Sequence, residues 1–524
     1  MLLGFFAFAP FSPGQDLSET AFRQALLDLG NNLRLLCVAA HPDDEDGATL
    51  ALHRYKYGVK TYALIATRGE GGQNEIGPEL YEDLAALRTR EMQAAAAITG
   101  AELRFLDLPD FGYSKTIEET HAIWGETETL RRVVRKIREI RPHVIITHHG
   151  REKDHGHHQA IGKAVIDGFD LAGDATAFPE QFAEGLETWR PSRLYIRAWT
   201  PGPDSVTLDL AKLESLRGMT YAEITAKALE AHASQGMSFF IERYLSGRPK
   251  AHYDLVRQVR DAATGNEDVA GPLFAGLPAG VHPAHRRLAE SRASRPEALD
   301  ALLPLVASDS DETFAKKAAR AAVCAAELRI EAHAEDPVVI PGQAVRIQAD
   351  LRDFGRHDAT SVTFACAWGG AEEIPDPFTV SVQEGAAAWE CMLSTPRDMG
   401  TGEAEARVVA HVMCAGGAVP MESTVRVEVA PATRIEFAGA PYLARKDGDR
   451  VVRCDLLCTN HASAAREDVV RIEAPEGWSA DVAEHPLRFD HEDQQWAFTV
   501  TLRLPESVAE GVYEVRARAR DGVD

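Results

Sequence analysis

Leu33 to Gly47 reads LRLLCVAAHPDDEDG, and no other stretch constrains the fold as much. Leu33 through Ala40 is too short and too continuously apolar for a surface helix, so it reads as a strand buried on both faces. His41-Pro42-Asp43-Asp44 leaves its carboxyl end, the edge at which open α/β sheets bind ligands. An imidazole and two carboxylates this close together suit a borderline metal such as zinc and serve equally well for general-base chemistry.

The chain on either side alternates helix and strand. Leu17 to Leu29 spaces Phe22, Leu26, Leu27 and Leu29 at helical intervals behind the capping residues Ser18 and Thr20. Ala48 to Tyr57 is helical and stops at Gly58, and Val59 to Thr67 is a second strand. Tyr81 to Thr99 is a helix in which Arg88 and Glu91 form a structural i,i+3 pair. Leu103 to Leu106 is a third strand, Leu130 to Ile140 a basic amphipathic helix with an exposed charged face, and Val144 to Thr147 and Trp189 to Trp199 further strands. Tyr221 to His232 is a helix ending in AHASQG. This alternation predicts an α/β domain with a Rossmann-like parallel sheet.

The second strand runs into TRGEGGQN, whose glycines invite a phosphate-loop reading; Glu70 and the missing GKS/T ending argue against it. Asp110, just past the third strand, is either a site acid or a solvated turn aspartate. His232 and Gln235 either line the pocket or pack a helix end. His53, His121, His148 and His149 read as structural or exposed.

A catalytic zinc typically takes three protein ligands and keeps one position open, so a further histidine has to come from elsewhere. His155-Gly156-His157-His158 qualifies, because it follows Val144 to Thr147 and opens the helical pattern HQAIGKAVIDGF. Both clusters then leave the same edge of one sheet. AHPDDE, TRGEGGQN, HGHHQAIGKAV and AHASQG, in that order, resemble the PIG-L/LmbE-like family of zinc-dependent N-acetylglucosaminyl deacetylases, over the N-terminal half only. The resemblance implies that His41, Asp44 and His158 hold Zn2+, with Fe2+ or another divalent ion as a substitute. It implies that Asp43 takes a proton from the attacking water and that His155 polarises the oxyanion or protonates the departing amine. Arg68 is placed in the substrate pocket, with Asp110 beside it.

Family members commonly carry an aspartate before the liganding histidine, where this chain has His157; Asp154 is the carboxylate best placed to compensate. A shifted register makes Asp154-His155 the Asp-His end of the motif and puts Glu152 in the catalytic histidine's place. HQAIGKAV favours the first register by continuing it without a gap.

From about Pro249 to Glu327 the chain is alanine-rich and helical. Beyond Ile330 the period falls to two, with Val345, Ile347, Ala349 and Leu351 alternating with polar residues. The expected domains are a signal or helix over 1–30, a deacetylase domain over 31–248, a helical connector over 249–329, and two all-β immunoglobulin-like sandwiches over 330–430 and 431–524. APEGWSADV and LRLPESVAEGVYEV resemble the β modules of secreted glycoside-active enzymes.

With 56 basic against 80 acidic residues, the net charge of -24 repels phosphate backbones and anionic lipid heads, so nucleic acid is excluded as a partner. No run reaches the ~18 apolar residues of a membrane span. The opening MLLGFFAFAPFSPGQD reads either as a secretory signal lacking its basic start or as a tail. The seven cysteines show no CxxC spacing and leave the redox compartment open. The expected function is zinc-dependent hydrolysis of an N-acetyl group on an amino sugar or glycoconjugate. The alternatives are a zinc amidase on a non-sugar amide and a non-catalytic carbohydrate-binding scaffold. The expected location is secreted or periplasmic, with a cytoplasmic one left open.

Overall fold

The computed structural model describes residues 16–150, 154–247, 249–259, 270–308, 312–355, 359–369, 377–414, 416–439, 450–509 and 511–520. The expected signal segment, up to residue 15, and Glu152 lie outside the described residues.

Strands β1 (Arg34–Ala39), β2 (Lys60–Ile65), β3 (Glu102–Phe105), β4 (Val144–Thr147) and β5 (Arg193–Ala198) form a parallel sheet in the order β3-β2-β1-β4-β5. Residue alternation along β1 sends its side chains into two separate cores. Leu35, Cys37 and Ala39 pack with Leu50, Ala51 and Tyr253 on one face, whereas Leu36, Val38 and Ala40 pack with Val133, Ile137, Ile161 and Val165 on the other. Helices α1 (Glu19–Leu29), α2 (Gly47–Tyr57), α3 (Tyr81–Thr99), α4 (Ile117–Trp124), α5 (Glu126–Ile140) and α6 (Gly156–Leu171) connect these strands or flank them. Each ends for a local reason. Gly58 closes α2 at φ 66°, and a Cβ there would lie 2.5 Å from the carbonyl oxygen of Leu27.

The sheet does not end at residue 248, where the sequence reading puts the domain's limit. Lys250–Gln258 pairs antiparallel with β5 and with Val206–Asp209, so the start of the expected connector completes the sheet. Helices Pro283–Glu290, Arg295–Ser308 and Glu312–Ala326 follow. The chain divides into compact units at Ala301/Leu302.

In the second unit, a three-stranded sheet of Leu328–Ala334, Ala344–Asp353 and Ala386–Ser394 accompanies a five-stranded sheet built around Gly402–Cys414 and Gly417–Val429. Val345, Ile347, Ala349 and Leu351 are buried, as their period of two requires. Two further sheets, of four and three strands, share a core of Cys454, Leu456, Val470, Phe489 and Val500. No helix among the described residues is long and apolar enough to cross a membrane.

Candidate metal centre

The chain leaves β1 to build β2 and β3 on one side, then returns to place β4 on the other. The loops after β1 and β4 therefore part across a crevice at the carboxyl edge. His41 sits on the first of these loops, and His155, His157 and His158 at the start of α6, which the second loop leads into. His41 Nδ1 lies 3.0 Å from Asp44 Oδ2, and His158 Nε2 lies 3.2 Å from that oxygen and 3.3 Å from His41 Nδ1. A tetrahedral ion with bonds of about 2.0 Å separates its ligand atoms by about 3.3 Å. Donor chemistry and spacing both fit such an ion. Asp44 with His149 and His158, and His41 with His155 and His158, also bring candidate ligand atoms within 4.8 Å of one another.

Each of these groups is oriented from behind. Asp44 Oδ2 accepts the backbone N–H of His41 at 3.0 Å. Asp154 Oδ1 lies 2.8 Å from His158 Nδ1, the carboxylate–histidine arrangement that fixes a ligand's tautomer. Asp154 thus serves the His158 ring, and it also accepts the backbone N–H of His155 at 2.8 Å. His41 Nε2 faces His157 Nδ1 at 2.9 Å. His157 is wholly buried, stacked on Trp124 at 4.5 Å and edge-on to Phe111 at 4.4 Å.

Asp43 adopts φ 98°, a conformation uncommon for a non-glycine residue. Its N–H donates to Glu45 Oε2 at 3.1 Å, Glu45 Oε1 meets His232 Nε2 at 3.2 Å, and His232 Nδ1 meets Gln235 at 3.2 Å. His232 is fully buried, so AHASQG braces the Asp43 turn through Glu45. Asp46 caps α2 by accepting the N–H of Thr49 at 3.1 Å, and its other oxygen is held by Arg197 of β5 and the hydroxyl of Tyr253. His148 Nε2 stands 3.5 Å from that same oxygen.

Electrostatics separate the two central acids. Burial raises Asp43 well above the ordinary carboxylate range, and the charges of Asp44 and Glu45 add to it. Burial acts on Asp44 in the same direction, but His158, His41 and His149 hold it well below that range. His158 is lowered by burial and raised more by Asp44 and Asp154, to about 10. His155 is pushed down to about 4 and His157 to about 3, by burial first and then by the neighbouring imidazoles.

His155 caps α6: its Nδ1 accepts the N–H of His157 at 3.2 Å, while the N–H of Ser114 approaches Nε2 at 3.2 Å. Neutral imidazole accepts at only one of these. Asp110 reaches the cluster, sharing a 4.8 Å neighbourhood with His41 and His157. Arg68 is held elsewhere: it donates to Asp107 at 2.8 Å and Thr89 at 3.1 Å and lies 4.2 Å over the Phe105 ring. Arg88 and Glu91 meet through Ser234. Arg88 also donates to the carbonyls of Gly69 and Gln73, which fixes the TRGEGGQN loop. His53 is a buried helix residue bonded to the carbonyl of Thr49 at 2.7 Å.

A family model described as GlcNAc-PI de-N-acetylase, PIG-L, matches residues 36–169. A Geodermatophilus obscurus protein named 1D-myo-inositol 2-acetamido-2-deoxy-alpha-D-glucopyranoside deacetylase is 30% identical over 301 residues, 47% of this chain and 98% of that protein. The chain belongs to the PIG-L family. A Streptomyces coelicolor relative named mycothiol S-conjugate amidase is 26% identical over 296 residues, 47% of this chain and 98% of its own length. Among solved structures, N,N'-diacetylchitobiose deacetylase from Pyrococcus horikoshii covers 47% of this chain and 95% of its own, at 19% identity and a TM-score of 0.34.

As a PIG-L protein the chain is a hydrolytic N-deacetylase, and PIG-L deacetylases depend on a metal. The site also holds residues that the sequence left aside. His149, read as structural or exposed, is buried, and its Nε2 accepts the N–H of Ala40 at 3.0 Å and stands 3.8 Å from Asp44. The signal was present in its position just past β4, one residue from His148, but nothing local distinguished the two rings.

Proposed function

We propose that this PIG-L protein is a zinc-dependent deacetylase that removes the acetyl group from an N-acetylated amino sugar or its conjugate. The observation that carries the reading is the triangle of His41 Nδ1, Asp44 Oδ2 and His158 Nε2, with edges of 3.0, 3.2 and 3.3 Å. These residues would hold the ion. Bound zinc supplies a Lewis acid that activates water at neutral pH and steadies developing negative charge. Two imidazoles and a carboxylate also accept ferrous iron, which remains the alternative metal.

Asp43 is the base in this proposal. A carboxylate with raised proton affinity takes a proton from the attacking water and holds it long enough to pass it to the departing amine. Glu45 and His232 keep the Asp43 turn in place during that exchange. His155 is pushed down to about 4 and is neutral at pH 7; with Nδ1 kept as the acceptor of the His157 N–H, its Nε2–H would donate to the oxyanion once turned from Ser114. Asp110, beside His41, is the residue proposed to meet substrate hydroxyls, whereas Arg68 is engaged by Asp107 and Thr89. The relatives' names support the sugar substrate, and the amidase among them favours a thiol-conjugate amide as the second reading.

The test is acetate release from a panel of N-acetylated sugars, before and after chelation and with zinc restored. His158→Ala is expected to lose tight zinc binding. Asp43→Asn is expected to keep the metal and lose roughly 10²–10⁴-fold in kcat. Chelator-insensitive release, or tight zinc retained by His158→Ala, overturns the proposal.

A further inference from the structure

A second constellation lies in the β region, outside the catalytic unit. Strand Ser361–Trp368 belongs to the five-stranded sheet and strand Ala386–Ser394 to the three-stranded one. Their inward side chains meet in step. Phe364 stacks on Trp389, with centroids 5.4 Å apart and planes within 4°, and the Trp368 indole N–H donates to the carbonyl of Ser394 at 2.8 Å. Between these contacts, one inward position on from each stacked ring, stand Cys366 and Cys391. The stacked rings fix the register, so the two cysteines come to facing positions of the two sheets.

We propose that Cys366 and Cys391 are a disulfide-forming pair that covalently joins the two sheets. Two-layer β domains place inter-sheet disulfides in this way, across the core and beside a tryptophan. The ring stack on one side and the Trp368–Ser394 hydrogen bond on the other hold the two strands in step around the pair, the close backbone approach that a disulfide requires. Cys391 is partly exposed, whereas the other six cysteines, Cys366 among them, are buried. Access therefore selects Cys391 as the thiol that meets an oxidant. The pairing acts in the same sense, with Cys366 lowering the Cys391 thiol while Cys391 and burial raise that of Cys366.

The oxidant is a small-molecule disulfide such as glutathione disulfide. Cys391 thiolate attacks one of its sulfurs, forms a mixed disulfide and releases one glutathione thiolate. Cys366 then attacks the Cys391 sulfur and releases the second glutathione. Two protein thiols are oxidised, one disulfide is reduced to two thiols, and the two protein protons end on glutathione.

The experiment uses the full chain. Reduced protein is incubated with glutathione disulfide, quenched in acid, denatured, alkylated with N-ethylmaleimide and mapped by mass spectrometry. The expected result is five alkylated cysteines out of seven, with one linked peptide pair joining Cys366 to Cys391. Oxidation should raise the melting temperature of the β region by several degrees, about what a loop of this length delivers, and Cys391→Ser should abolish the rise. Seven alkylated cysteines, a linkage between any other pair, or a Cys391–glutathione adduct that persists with Cys366 still alkylatable overturns the proposal. The peptide map is read on unaltered protein, so a poorly folding variant does not blur the answer.

Discussion

His158 is the residue on which metal binding turns. In the metal-free protein Asp154 faces one ring nitrogen and Asp44 the other, and the ring keeps its proton up to about pH 10. A ligand nitrogen has to give up that proton. Metal affinity is therefore expected to rise about tenfold per pH unit between roughly pH 7 and 9, with one proton released per ion; competition titrations with a chromophoric chelator at several pH values check this. The metal-free protein runs the other way. Its pKa being raised, the His158 contribution to stability is complete below the unfolded value of about 6.5 and is lost as pH climbs through about 10. His157 carries a second prediction. Its Nδ1 faces His41 Nε2 in a buried slot, which leaves His41 Nδ1 as the nitrogen aimed at Asp44 and His158; a metal on that Nδ1 would put the ring proton on Nε2, toward His157. His157→Ala is expected to weaken zinc about 10–100-fold, as loss of an orienting partner does, and unchanged zinc affinity in that variant would falsify the role. The gathering of His41, Asp44, His155 and His158 was legible in the sequence because they lie in two short runs at strand ends. The part played by His157 was not, because it depends on Trp124 and Phe111, which arrive from a different stretch of chain.

At the level of elements, α6 has to lie hard against the loop after β4 to bring His158 to Asp44. Gly162, one turn beyond His158, permits this: a Cβ there would stand 2.3 Å from the Gly150 nitrogen and 2.4 Å from its Cα. Gly162→Ala is expected to cost about 1–3 kcal/mol, as overpacking does, and to lower zinc affinity together with stability, because the same shift carries His158 outward. Denaturant melts and zinc titration on one preparation read both. The five parallel strands were legible from short apolar runs, and the burial of β1 and β4 matches. The strand Lys250–Gln258 was not. Ala251 and Tyr253 are its only fully buried residues, and its charged remainder reads like the helical chain that follows. Yet Tyr253, with Arg197, is what pins Asp46 and so the end of the AHPDDE run.

For the whole molecule, two compact units, divided in the chain at Ala301/Leu302, predict two unfolding transitions in calorimetry. Zinc should move only the one that belongs to 18–301, by about 4 kcal/mol at a thousandfold excess over its dissociation constant; a joint shift of both would show that the units unfold together. The strand order has a longer reach. All three members of the proposed metal triangle ride on the crossovers after β1 and β4, whereas the loop Gly69–Gln73 follows β2 and the exposed Trp199 follows β5. The proposed ligands thus occupy two crossovers of the scaffold and leave the segments after β2 and β5 out of the triangle. A lineage built this way is free to remodel those two segments while the metal triangle passes down intact, and a protein engineer inherits the same freedom.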